Sequence, residues 1–237
     1  MKLSGWMMTV LAGALAACGP TAIPGPPSPS PEPMPGATPP ATPDPAAIEA
    51  ELRRATVPAS ARQVNFGWML DEAGARFSGR GVARYVAPGR VRLDLFGPRG
   101  ETYLAAALVD GELRAPPALL ERFELPSPAL LWGAVGVIAP PPDARLLEGT
   151  ARGGETTLRY QAGDDVLEYR ARGGRLQSVR RSRRGAVAES IDLTWNEQGV
   201  ARAQYRDWAA YRTLNLTTES TTDVAQFPEE TWRPAGA

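Results

Sequence analysis

Histidine is absent from all 237 residues, cysteine occurs once, at Cys18, and lysine once, at Lys2. Each scarcity removes a class of chemistry. Without histidine there is no Ser-His-Asp triad, no Cys-His pair and no imidazole metal ligand. A lone cysteine closes no disulfide within the chain. A lone lysine at the second position leaves none for a Schiff base or a phosphate-gripping P-loop in the body of the chain. No charge of either sign is in excess: 26 basic residues stand against 26 acidic ones, so nothing favours a nucleic acid as partner. No cofactor is expected.

The start reads MKLSGWMMTVLAGALAAC. Lys2 supplies a positive charge, and an apolar stretch from Leu3 to Ala14 follows. It is short for a membrane-spanning helix and has the proportions of a signal peptide. Leu15-Ala16-Ala17-Cys18 resembles the bacterial lipobox. That resemblance implies cleavage before Cys18 and acylation of its thiol, a role in which a cysteine needs no partner. Gly19 stands where aspartate usually retains such proteins in the inner membrane, so the outer membrane, at its periplasmic face, is implied. Residues 19–45 hold 12 of the 24 prolines. Such a segment buries no core and favours extended polyproline II, reaching ~80 Å at about 3.1 Å per residue. It reads as a spacer or as a tolerated disordered stretch. The expected organisation is a signal peptide over 1–17, an acylated cysteine and tether over 18–45, and a single domain over 46–234.

That domain opens with a short amphipathic helix. Asp44 reads as its N-cap, Pro45 as its first residue, and Ile48, Leu52 and Ala55 as its apolar stripe. Strands then dominate. Val64, Phe66, Trp68 and Leu70 alternate with polar or small residues. A strand over 77–86 is weakened by Gly79 and Gly81. Val91, Leu93 and Leu95 alternate with Arg90, Arg92 and Asp94. A tip of Gly97, Pro98, Arg99 and Gly100 follows, then strands over 102–109 and 112–115 joined by an Asp110-Gly111 turn. Ser127-Pro128 starts a second helix, apolar almost all round from Leu130 to Ile138 and stopped by Pro140-Pro141-Pro142. Seven further strands over 145–222 are separated by glycine-bearing turns. The sum is about eleven or twelve strands in an antiparallel meander. A sheet with one apolar face needs a cover. Curled around the second helix, it becomes an incomplete antiparallel barrel whose interior is either filled or left open for an apolar ligand.

Some motifs are weighed and set aside. Gly79-Arg80-Gly81 begins a GxGxxG pattern, but Arg84 stands at the third glycine. A bulge or close packing is the expected use of that pair. Asp71-Glu72, Asp164-Asp165 and Glu229-Glu230 read as solvated residues in turns or near the end. Carboxylates from opposite strands remain open as a hydrolytic pair. Arg180, Arg181, Arg183 and Arg184 read as a solvated strand end and turn. Alternatively they touch anionic headgroups, each worth ~1 kcal/mol near a membrane.

Two stretches resemble LolB-type outer-membrane lipoproteins of the LolA/LolB-like superfamily. One is RLDLFGPRG, residues 92–100, followed by an apolar strand. The other is Leu125-Pro126 with Leu130-Leu131-Trp132-Gly133 and Gly136. The order of elements also fits, over about residues 46–220. The resemblance implies an incomplete barrel closed by helices and an apolar cavity for the acyl chains of lipoproteins or lipids. It also implies a soluble periplasmic carrier as the partner of an anchored receptor. The chain departs from the family at Arg99, where LolB-type proteins carry an exposed apolar residue in the loop that enters the membrane. Arginine costs about 2.5–3.5 kcal/mol at bilayer depth, so the tip of Gly97, Pro98, Arg99 and Gly100 reads as docking at headgroup level.

Two functions follow. The first is an outer-membrane-anchored, monomeric, non-catalytic protein for lipoprotein or lipid trafficking and insertion. Its cavity would be lined by Phe66, Trp68, Val91, Leu93, Leu95, Leu104, Leu131, Trp132, Val135, Ile191, Leu193 and Trp195. The second is a structural or interaction lipoprotein of the envelope, on the same fold with a filled core.

Overall fold

The computed structural model describes residues 44–118 and 125–234. The leader, Cys18 and nearly all of the proline-rich tether lie outside them. The first helix, α1 (Pro45–Thr56), starts where its cap chemistry dictates: the Asp44 carboxylate accepts the Ala46 N–H at 3.1 Å. Ile48 and Leu52, one turn apart, are its buried residues.

Twelve strands follow: β1 (Ala61–Glu72), β2 (Ala75–Val86), β3 (Arg90–Phe96), β4 (Thr102–Val109) and β5 (Glu112–Arg114), then, after a second helix α2 (Pro128–Ala134), β6 (Arg145–Arg152), β7 (Glu155–Ala162), β8 (Asp165–Arg172), β9 (Arg175–Arg183), β10 (Ala186–Asn196), β11 (Gly199–Asp207) and β12 (Arg212–Val224). A short 3₁₀ turn, Glu229–Trp232, ends the described chain. All strands belong to one antiparallel sheet in the order β5-β4-β3-β2-β1-β12-β11-β10-β9-β8-β7-β6. Two meanders, β1–β5 and β6–β12, are thus joined where β1 pairs with β12. The ends, β5 and β6, do not pair with each other, so the barrel is incomplete, as the sequence reading expects.

The second helix differs from expectation. It ends at Ala134, not at the prolines. Gly136 takes φ +81°, its N–H bonds Gly133 O at 2.9 Å, and the Val137 N–H bonds Trp132 O at 3.1 Å. This is a Schellman cap, and Val137 packs in one cluster with Trp132, the apolar contact that accompanies such caps. An apolar pattern that continues past a cap looks like more helix from sequence alone. Val137 and Ile138 remain buried, but outside the helix.

The Gly79 and Gly81 pair serves close packing, not a bulge, since β1 and β2 keep register across both. Rings from β1 lie over them: a Cβ on Gly81 would stand 2.3 Å from the Phe66 ring, and one on Gly79 would stand 1.9 Å from Phe96 O and 3.0 Å from the Trp68 ring. Asp94 is a second correction. Expected on the water side of β3, it is only 3% exposed. Arg92 and Arg84 both donate to it, and Arg92 also donates to Thr231 O at 2.8 Å. The segment 227–232 therefore crosses the outer face here, seating Phe227 and Trp232 against Ala107 and Val109.

Gly81→Ala is expected to cost about 1–3 kcal/mol, because the added methyl must displace the Phe66 ring. Denaturant midpoints check this, and an unchanged midpoint would refute the close-packing account.

Candidate functional site

The inward face of the sheet is covered unevenly. On the β6–β11 half, α1 and the start of α2 complete one core: Ile48, Leu52, Ala129 and Leu130 pack with Leu158, Tyr169, Leu176, Val179 and Ile191. On the β1–β4 half, Phe66, Trp68, Leu95 and Leu104 form a separate cluster. Among the described residues, no buried helix residue belongs to that cluster, and Val135 and Leu125 only border it. The faces of α2 explain the asymmetry. Ala129, Leu130, Trp132 and Gly133 are buried, whereas Leu131, Ala134 and Val135, at i, i+3 and i+4, are half-buried on another face. A cleft lies along that second face.

Three apolar spaces occupy it. The first, about 70 Å³, lies among Trp68, Leu70, Leu95, Tyr103, Leu104, Leu125, Pro126, Tyr205, Arg212 and Leu214. The second, about 50 Å³, lies among Val64, Phe66, Ala83, Val91, Leu93, Leu131, Ala134, Val135, Val200, Ala203, Leu216 and Thr218. The third, about 20 Å³, shares Leu104 and Leu125 with the first and Val91, Leu93 and Leu131 with the second. They form a row with common walls. Ready-made small-molecule pockets run to about 300–1,000 Å³, so a hydrocarbon chain enters this row only if its walls part. None of the three linings includes a carboxylate among the described residues, and Arg212 is paired with Glu72.

The residues singled out from sequence fall into distinct places. Phe66, Val91, Leu93, Leu131 and Val135 line the second space, and Trp68, Leu95 and Leu104 the first. Trp132 meets Tyr85 edge-on at 6.4 Å and packs with Val91 and Leu108. Ile191 and Leu193 pack in the β6–β11 core and border none of the three spaces. Trp195 stands at the far end, beside Gly136. Sequence reasoning omits Val64, Leu70, Leu214 and Leu216 from the lining, although each sits in phase with an alternating apolar run. Tyr205 likewise alternates with Arg202, Gln204 and Arg206, whereas Leu125, alone in a loop, has no period to reveal it.

Register places the 73–74, 97–100 and 208–211 turns at one end of the sheet, where the first space also opens. Gly97 is buried, and Pro98, Arg99 and Gly100 are exposed. The tip is braced by its own backbone: Gly97 N–H bonds Glu101 O at 2.8 Å, and Arg99 N–H bonds the Glu101 carboxylate at 2.9 Å. Nearby aromatics face water. Trp208 is 51% exposed with the Arg206 guanidinium 5.8 Å above its ring, and Tyr211 is 87% exposed at φ +52°.

A charged network lies under Tyr205. Its hydroxyl donates to Glu189 at 2.7 Å, and Glu189 also accepts from Arg181 and from Ser127 N–H, the N-cap of α2. Arg181 and Arg183 both donate to Asp165. The arginine cluster is therefore not wholly a solvated turn. Arg181 is mostly buried and links β8, β9 and β10 to the start of α2. Asp165, expected as a solvated turn residue, is its anchor. Hydrogen bonds from Arg183, then Arg181, hold the Asp165 carboxyl below its ordinary 3.8.

No helix among the described residues is long and apolar enough to cross a membrane. No protein-family model and no curated protein matches the sequence. Among solved structures, the chain is similar to a LolA superfamily protein from Nitrosomonas europaea, at 12% identity and TM-score 0.55, over 79% of this chain and 96% of that one. It is also similar to a Vibrio parahaemolyticus domain assigned to outer membrane lipoprotein sorting, at 13% identity and TM-score 0.48, over 78% and 94%. A DUF1329 family protein from Desulfovibrio piger aligns at 8% identity and TM-score 0.46, over 80% and 98%. At 12% identity the likeness to the Nitrosomonas europaea protein shows the fold, a LolA-like incomplete barrel.

Because the Asp165 carboxyl is depressed in the folded state, its contribution is present above pH 3.8 and is lost as pH falls through the folded value. Asp165→Asn is expected to lower stability at pH 7 on the order of 1 kcal/mol and to flatten the acid limb below about pH 4. Thermal melts between pH 2 and 7 check this. Parallel curves for both proteins would remove Asp165 from the account.

Proposed function

We propose that this chain is a non-catalytic lipoprotein of the cell envelope, anchored in the outer membrane through an acylated Cys18, and that it takes up acyl chains of lipoproteins or lipids in the cleft beside α2. The row of three carboxylate-free apolar spaces sharing walls carries this reading. The likeness in fold to a LolA superfamily protein supports it. Leu131, Ala134 and Val135 form the movable wall, facing Phe66, Leu93 and Leu216 across the second space. Exchange of the chain then follows relative affinities for hydrocarbon, with no bond made or broken, and a soluble periplasmic carrier is the natural donor.

The tip of Gly97, Pro98, Arg99 and Gly100 docks at headgroup level. Arg99 offers phosphate its guanidinium, and Trp208 and Tyr211 add the amphipathic rings that favour a membrane–water interface. Arginine at this tip favours docking over insertion.

A second reading is favoured by the small volumes themselves. The interior would be a finished core, and the protein would present its surface to another envelope protein. Titration of the purified chain with an environment-sensitive fatty-acid probe separates the two. Saturable binding near one probe per chain is expected. Absence of saturation, together with a stoichiometric protein partner carrying no lipid, supports the filled core. Arg99→Leu is expected to raise partition onto liposomes severalfold, and an unchanged partition would remove the arginine as the brake on insertion.

A further inference from the structure

At the end of the sheet opposite the tip, the cleft opens into a larger, polar vestibule of about 250 Å³. Its walls include Arg62, Tyr85, Arg175, Trp195, Gln198 and Thr221. It shares Val64, Ala134, Val135, Val200 and Thr218 with the second apolar space, so the polar and apolar compartments adjoin across the same wall. The vestibule is also one-signed. In a chain whose charges balance, two arginines and no carboxylate line it.

The two arginines are held differently. Arg62 donates to Asp223 at 2.8 Å, so its charge is met. Arg175 has no carboxylate within ion-pair distance among the described residues. Its guanidinium lies 5.6 Å over the Trp195 ring. That ring is fixed. Trp195 Nε1 donates to Leu176 O at 2.6 Å, and its far edge packs on Gly136, where a Cβ would come within 2.6 Å of it. Arg175 Nη1 also donates to Asn196 O at 3.5 Å, and the residue is exposed, so a clamped indole seats a guanidinium that no carboxylate pairs, at the mouth of a hydrocarbon-lined cleft.

We propose that this vestibule is a headgroup site for an anionic single-chain amphiphile, with the headgroup on Arg175 and the tail running past Val135 into the second apolar space. The proposal rests on the acyl-binding reading and adds the sign of the headgroup and the direction in which the chain lies. A carboxylate and a phosphate share the chemistry Arg175 recognises, through charge-assisted paired hydrogen bonds.

The test uses the purified full chain and three lipids of equal tail length: palmitate, palmitoyl lysophosphatidic acid and the uncharged monopalmitoylglycerol. Each competes with a bound fluorescent probe, in the wild type and in Arg175→Gln. The wild type is expected to bind one or both anionic lipids about tenfold tighter than the uncharged one, the scale of a charge-assisted contact. Palmitate and the lysophosphatidic acid then tell a carboxylate site from a phosphate site. Arg175→Gln is expected to abolish the preference and to leave monopalmitoylglycerol affinity within about twofold. Equal affinities in the wild type, or a preference that survives Arg175→Gln, would overturn the headgroup site while acyl binding stands. Failure of all three lipids to displace the probe would overturn both.

Discussion

One constraint shapes this molecule: a single sheet of twelve strands has one inward apolar face, and among the elements described in full two short helices, α1 and α2, lie on it. Both helices spend their buried residues on the β6–β11 half, apart from Trp132, which reaches Tyr85 and Val91. Among the described residues, the β1–β4 half is covered largely by its own side chains. Phe66 and Trp68 do this by packing over Gly81 and Gly79, where a side chain would collide with them. Between this face and α2 lies the row of small apolar spaces.

The placement of α2 is the consequence that matters for function. Its start is tied to the charged network of Glu189, Arg181 and Asp165, and its end is closed by the Gly136 cap. Between these fixed points, Leu131, Ala134 and Val135 face space on one side and lack the dense contacts that hold Leu130 on the other. The helix is only seven residues long. A wall anchored at both ends and loose in the middle can yield to a hydrocarbon chain without unfolding the sheet. The two ends of the cleft then differ in chemistry. One carries exposed aromatics and Arg99, and the other a vestibule of arginines.

Much of this architecture is legible in the amino-acid sequence. Alternation in residues 64–70 and 91–95 marks the inward positions, and glycine-bearing turns space the meander of β6–β12. Asp44-Pro45 marks the helix start. What stays hidden has physical reasons. The end of α2 is masked because Val137 and Ile138 keep an apolar pattern after a left-handed glycine has already ended the helix. Asp94 reads as water-facing because the segment that covers it arrives from residues 227–232, far along the chain. The vestibule is invisible for the same reason: Arg62, Arg175 and Gln198 share no local pattern and meet only through strand order.

The central claim is that hydrocarbon is admitted by displacement of the α2 wall. A crystal structure of the chain grown with a saturated fatty acid tests it most directly. The account requires continuous hydrocarbon density between Leu131 and Val135 on one side and Val64, Phe66 and Leu93 on the other, with the middle of α2 moved off β1–β3. An interior free of ligand, with those side chains where they stand without it, would contradict the account.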